Sequence, residues 1–136
     1  MKGRQDICLL GALAERWSQA ASTWDTGALA SLYAEDALLF GGRPEHAVGR
    51  AAIADYFDSY RGIIVSATIE LEEQHILAID EACFFAQGFA RFAFALAGDI
   101  ETRPRFRTSL LVLRASEGII RAHHFSPEPE ALPLGD

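Results

Sequence analysis

The segment RAHHFSPEP, Arg121 to Pro129, sets two adjacent imidazoles beside a guanidinium and a hydroxyl, just before prolines end any regular structure. Histidine changes charge near neutral pH, so it is the side chain best suited to move a proton. His123 and His124 are therefore the candidate catalytic residues. In an extended strand neighbouring side chains point to opposite faces, so the two rings cannot act together as a metal pair or as a base and its orienter. His123 shares its side with Arg121 and Phe125, and His124 shares its side with Ala122 and Ser126; the sequence leaves open which side is inside. None of His46, His75, His123 and His124 has a helical i, i+4 ligand partner or a cysteine ligand nearby, so no metal and no cofactor are expected.

The second candidate chemistry is capture of an anion. In CFFAQGFARFAFAL, parity puts Phe84, Ala86, Gly88, Ala90, Phe92 and Phe94 on one face and Phe85, Gln87, Phe89, Arg91 and Ala93 on the other. The face with Arg91 and Gln87 has a polar centre in an aromatic frame and is expected to face a ligand. An arginine amid apolar residues needs a partner, either a ligand carboxylate or an internal acid such as Glu35 or Asp36. Tyr33, Tyr56 and Tyr60 are expected to line the same pocket with hydroxyls that want partners; Trp17 and Phe40 read as plain core beside them. Asp55 and Asp58 fall off the apolar stripe of their helix and read as solvated. No acid is placed inside, which weakens the case for catalysis.

The elements that must position these residues follow from periodicity. Ile7, Leu10, Ala14, Trp17, Ala21 and Trp24 make one helical stripe of about five turns. Asp25 can cap a short second helix carrying Leu29, Leu32 and Tyr33, EDALLF reads as a brief strand, and Gly41-Gly42-Arg43-Pro44 breaks it. The loop with Glu45 and His46 reads as a surface loop. Ile53, Tyr56, Phe57 and Tyr60 mark a third helix. From Ile63 onward four β-favouring runs are separated by Asp80-Glu81, Gly98-Asp99 and Ser116-Glu117-Gly118, which predicts an antiparallel meander. Glu70, Glu72 and Gln74 are expected on the solvated side of an edge strand. The fold class is α+β, with the helices packed on one face of a twisted antiparallel sheet.

These segments, WSQAASTWDTGALASLYAEDALLF, GRAAIADYFDSY, GFARFAF and HHFSPEP in that order, resemble the nuclear transport factor 2-like superfamily. Within it they are most similar to SnoaL-like or SgcJ/EcaC-like proteins, bacterial relatives of the association domain of calcium/calmodulin-dependent protein kinase. The resemblance runs from Trp17 to Pro127. It implies a cone-shaped sheet wrapped around the N-terminal helices, a pocket inside the cone and a homodimer joined through the outer face of the sheet. It also implies carboxylate-binding arginines, matched here by Arg91 and by Arg107, with Arg105 as the alternative to Arg107. A third arginine of that pattern is replaced by Phe125.

The 136 residues are expected to form a single domain, 1–136, with 127–136 as a tail. A formal charge of -7 argues against nucleic acid and anionic membrane as partners. Cys8 and Cys83 have no ligand or disulfide pattern and read as buried thiols. The apolar run near the N-terminus is at the short limit for a signal peptide and its helical pattern continues past the cleavage-like Ala12-Leu13-Ala14, so a cytoplasmic protein is expected. The combined expectation is a homodimer that binds a small polar or carboxylate-bearing molecule. The alternatives are a cofactor-free isomerase, cyclase or dehydratase acting on a small carbonyl or carboxylate compound, and a structural association module; ligand identity is not legible.

Overall fold

A computed structural model describes residues 2–135; Met1 and Asp136, the limits of the expected domain, lie outside the described residues. The chain runs through α1 (Lys2–Ala21), α2 (Thr26–Ala30), β1 (Tyr33–Phe40), β2 (Ala47–Val48), α3 (Arg50–Asp58), β3 (Ile64–Ala78), β4 (Cys83–Leu96), β5 (Ile100–Thr102), β6 (Arg105–Leu113), a short 3-10 turn and β7 (Ile119–Pro127). The strands form one sheet in the order β2-β1-β7-β6-β4-β3, with β5 paired to the end of β4. The fold class is the expected α+β, with a curled, unclosed, largely antiparallel sheet folded around the N-terminal helices. The exception to antiparallel pairing is β1 against β7, where Leu39 faces His123 and Phe40 faces His124. No described helix is long and apolar enough to cross a membrane.

Helix α1 buries Leu10, Leu13, Trp17 and Ala21, spaced three or four apart, so that they form one stripe toward the sheet. Ile7, which fits the same period approximately, is 60% exposed; the inner position one turn before Leu10 is taken by Asp6, whose carboxylate receives two hydrogen bonds from Arg114 at 2.9 Å. This buried pair ties α1 to the loop after β6. Asp25 caps α2 by accepting from Ala28 N at 3.0 Å. Ser18 serves the edge strand: its Oγ accepts from Ile69 N at 2.9 Å, which occupies a backbone donor that β3 would otherwise present to solvent.

Two departures from the sequence reading reorient side chains. Tyr33 lies in β1, since α2 ends at Ala30, and this carries the tyrosine into the core. Strand β3 bulges between Glu72 and His75, with Glu73 at φ 51, so parity reverses there. Gln74 consequently turns inward and donates to Phe89 O at 3.0 Å, while Glu73 takes the exposed place expected for Gln74. The bulge requires glycine opposite: a Cβ on Gly88 would sit 2.8 Å from Gln74 Nε2 and 2.9 Å from Glu72 O. Of the cysteines, Cys83 is half-buried but Cys8 is exposed, contrary to expectation, because it falls on the outer side of α1.

Candidate functional site

The sheet's inner face is the even-numbered face of β4. Phe84, Ala86, Ala90 and Phe92 are buried there against the helices, with Phe94 partly buried behind them. Trp17 stands at the centre, edge-on to Phe92 at 5.6 Å, Trp24 at 6.4 Å and Phe57 at 6.5 Å, the arrangement that ring quadrupoles favour. Beyond this cluster the helices and sheet part around a cavity of about 310 Å³. Tyr56, Tyr60 and Trp24 line it from the helical side, and Phe92, Phe94, Phe106 and Phe125 from the sheet. No charged residue is among its lining residues.

The roof of the cavity is the Gly41-Gly42 turn. Gly42 N donates to the Tyr56 hydroxyl at 2.9 Å, and Arg43 lies 4.3 Å over the Tyr60 ring while donating to Ser59. Here too glycine is required by space: a Cβ on Gly41 would approach Tyr56 Cζ to 2.6 Å and Phe125 Cζ to 2.9 Å. Burial raises the Tyr56 hydroxyl's pKa, with the Gly42 hydrogen bond opposing. Tyr56 therefore stays a neutral donor and acceptor at the mouth.

Beneath Trp17 lies a polar pair. The Tyr33 hydroxyl and His123 Nδ1 are hydrogen bonded at 2.8 Å, and both side chains are buried. Burial pushes the His123 pKa down to about 3, with the neighbouring His124 adding to the effect, so the ring is neutral. Burial likewise raises the pKa of Tyr33, and the nearby Trp17 N–H only partly offsets it. His123 Nε2 forms no hydrogen bond with a described residue, and the Trp17 Nε1–H, close enough to the Tyr33 hydroxyl to affect it, makes no well-formed one. They flank a small void of about 20 Å³ between α1 and the sheet.

The residues expected to form one pocket are thus divided between two faces. Tyr56 and Tyr60 line the cavity; Tyr33 and His123 are buried below it. Arg91, Arg107, Gln87 and His124 lie on the opposite, outer face, so Arg91 is not the anchor inside the cone that the sequence led us to expect. Arg91 is half-buried there and donates to Arg103 O at 3.0 Å. Its proposed internal partners serve otherwise: Asp36 pairs with Arg121 at 2.7 Å, and Glu35 is exposed. Arg105 lies over Phe89 and binds Glu72, Glu73 and Glu128, so it too stays outside. Phe40, expected in the core, is 42% exposed and stacks on His46 at 4.1 Å. Of the lining residues missed, Phe92 and Phe94 share the β4 face of Gly88, which was the available signal that this face runs close to other backbone, while Phe106 and Phe125 join that face through the register of β6 and β7.

The fold is the nuclear transport factor 2-like one. The model of the SnoaL-like domain matches residues 10–128, and the chain belongs to that family. No curated protein matches its sequence. Among solved structures it is similar to a Xanthomonas campestris protein provisionally named a calcium/calmodulin-dependent protein kinase II association domain, at 21% identity and TM-score 0.79, over 90% of this chain and 87% of that one. A Novosphingobium aromaticivorans protein provisionally named a scytalone dehydratase gives 10% identity and TM-score 0.80, over 93% and 87%. A nuclear transport factor 2-like superfamily protein from Salmonella enterica serovar Typhimurium gives 15% identity and TM-score 0.71, over 93% and 94%. At these identities the likeness is one of fold.

Proposed function

We propose that this chain is a receptor for a small, planar, uncharged molecule held in the aromatic cavity of the cone. The observation that carries this reading is the lining itself: aromatic rings from helices and sheet surround about 310 Å³ with no charged side chain among them. Such walls reward burial of apolar area at about 25 cal/mol per Å² and offer no opposite charge to offset the desolvation of a carboxylate. The ligand is accordingly apolar in its body, with at most a hydroxyl or carbonyl for the Tyr56 and Tyr60 hydroxyls at the mouth. This revises the carboxylate expectation, because its arginines face the other way.

The catalytic alternative rests on His123, whose Nε2 is buried without a partner, and on a structural neighbour provisionally named a dehydratase. His123 does not line the cavity, and no carboxylate does. Binding is therefore the better-supported reading. We further propose a homodimer through the outer sheet face. Leu77, Phe85, Leu111, Ala122 and Leu38 are register neighbours across five strands there, and they form a continuous apolar row.

Thermal-shift measurements with 2-naphthol and 2-naphthoate test the binding reading. The neutral compound is expected to raise the Tm in a saturable way and the carboxylate to leave it unchanged. Stabilisation by the carboxylate alone would contradict the proposal.

A further inference from the structure

The aromatic cavity is open at one end of the cone. Ile63 and Thr102 belong to its wall, yet Ile63 is 48% exposed and Thr102 is exposed as well. The opening is therefore bounded by the chain just before β3, by β5 and by Pro104 in the link from β5 to β6. Register extends this rim: Leu96 lies opposite Ile64 on one side and Ile100 on the other, and Ile100 is 57% exposed. A ligand held among the rings shows an apolar edge to water here. None of these rim residues belongs to the apolar row assigned to the homodimer.

The chain carries a segment able to cover it. Strand β7 stops at Pro127, opposite Phe106, and Phe125 two residues earlier is part of the cavity wall, so the residues that follow leave the sheet at the rim. The first of them is anchored, because Arg105, itself fixed by Glu72 and Glu73, donates to Glu128 at 3.0 Å. From Pro129 to Gly135 no hydrogen bond or ion pair joins the segment to any other described part of the fold; Gly135 N donates within it to Leu132 O. Leu132 is nonetheless 66% exposed and Leu134 100% exposed, two apolar side chains that water disfavours. An extended chain reaches about 13 Å from Glu128 to Leu132 and about 20 Å to Leu134. Strands β7 and β3 are three spacings apart, about 14 Å, so the two leucines span the opening. Pro129 and Pro133 favour the extended form this needs. We propose that residues 128–135 form a strap that closes over the occupied cavity, with Glu128 as its hinge and Leu132 and Leu134 on the exposed edge of the ligand. The strap rests on the aromatic-receptor reading, since the ligand ring supplies the apolar surface that the leucines cover.

Two NMR signals separate the strap from the cavity. In protein carrying Cys8→Ser, Cys83→Ser and Ala131→Cys, a nitroxide attached at position 131 broadens the amides near the strap, while the Phe92 ring reports filling of the cavity. Addition of 2-naphthol is expected to shift the Phe92 ring and, with the same saturation, to broaden the amides of Ile63, Ile100 and Thr102. Removal of residues 129–136, which leaves every strand intact, should weaken 2-naphthol binding about tenfold, through faster release. Leu132→Ser combined with Leu134→Ser should do the same in the full chain. A Phe92 shift without new broadening at the rim, or unchanged affinity in both variants, would overturn the strap and leave the receptor reading standing. Tighter binding without the segment would make it a competitor for the cavity and overturn the strap equally. Absence of any Phe92 shift would overturn both.

Discussion

Acidification should destabilise this protein through His123, whose ring is buried in its neutral form. The ring is 3% exposed and its pKa is pushed down to about 3, against about 6.5 in an unfolded chain. Between these values the unfolded state binds a proton that the native state refuses. The unfolded state thus binds more protons, stability rises with pH across this window, and it is lost as pH falls below about 6.5. At about 1.36 kcal/mol per pH unit the loss is about 2 kcal/mol by pH 5, and it levels off near 5 kcal/mol at pH 3. Urea unfolding of the wild type and of His123→Asn at about pH 7.5 and pH 5 isolates this contribution. The variant begins less stable, because it leaves a cavity, but it should lose about 2 kcal/mol less between the two conditions. Carboxylates elsewhere contribute equally to both proteins and cancel. Identical losses would refute the assignment of His123 as a buried neutral ring.

Phe92→Ala removes the ring that contacts Trp17, Phe94, Phe106 and Phe125 and should cost about 3 to 5 kcal/mol in chemical denaturation. Gly41→Ala should drive Tyr56 and Phe125 into the cavity, abolishing the 2-naphthol shift while circular dichroism stays native. Sedimentation should show twice the 14.9 kDa chain mass for the wild type and the single mass for Leu111→Glu, which places a charge in the apolar row. A soluble wild-type monomer would contradict the homodimer.

Periodicity located the helices and the four long strands because those signals are local: apolar spacing, turn residues and a cap at Asp25. It could not orient the sheet. Strand β4 is apolar on both sides, so parity separates Phe92 from Arg91 without saying which meets α1. That choice is made by tertiary packing of Trp17 on the even face, and the polar pair Arg91 and Gln87 drew the reading to the wrong side. The bulge at Glu73 was equally hidden, since it depends on a glycine fourteen or so residues away on the next strand. The Tyr33–His123 pair was missed for a similar reason. It joins β1 and β7 in parallel, a contact with no hairpin to announce it.

Intermolecular nuclear Overhauser effects between unlabelled 2-naphthol and protein carrying labelled aromatic rings test the central claim most directly. The aromatic-receptor account predicts cross-peaks to Phe92, Phe106, Phe125 and Tyr60 inside the cone. Cross-peaks confined to Phe40, Phe85 or Phe89 on the outer face would contradict it.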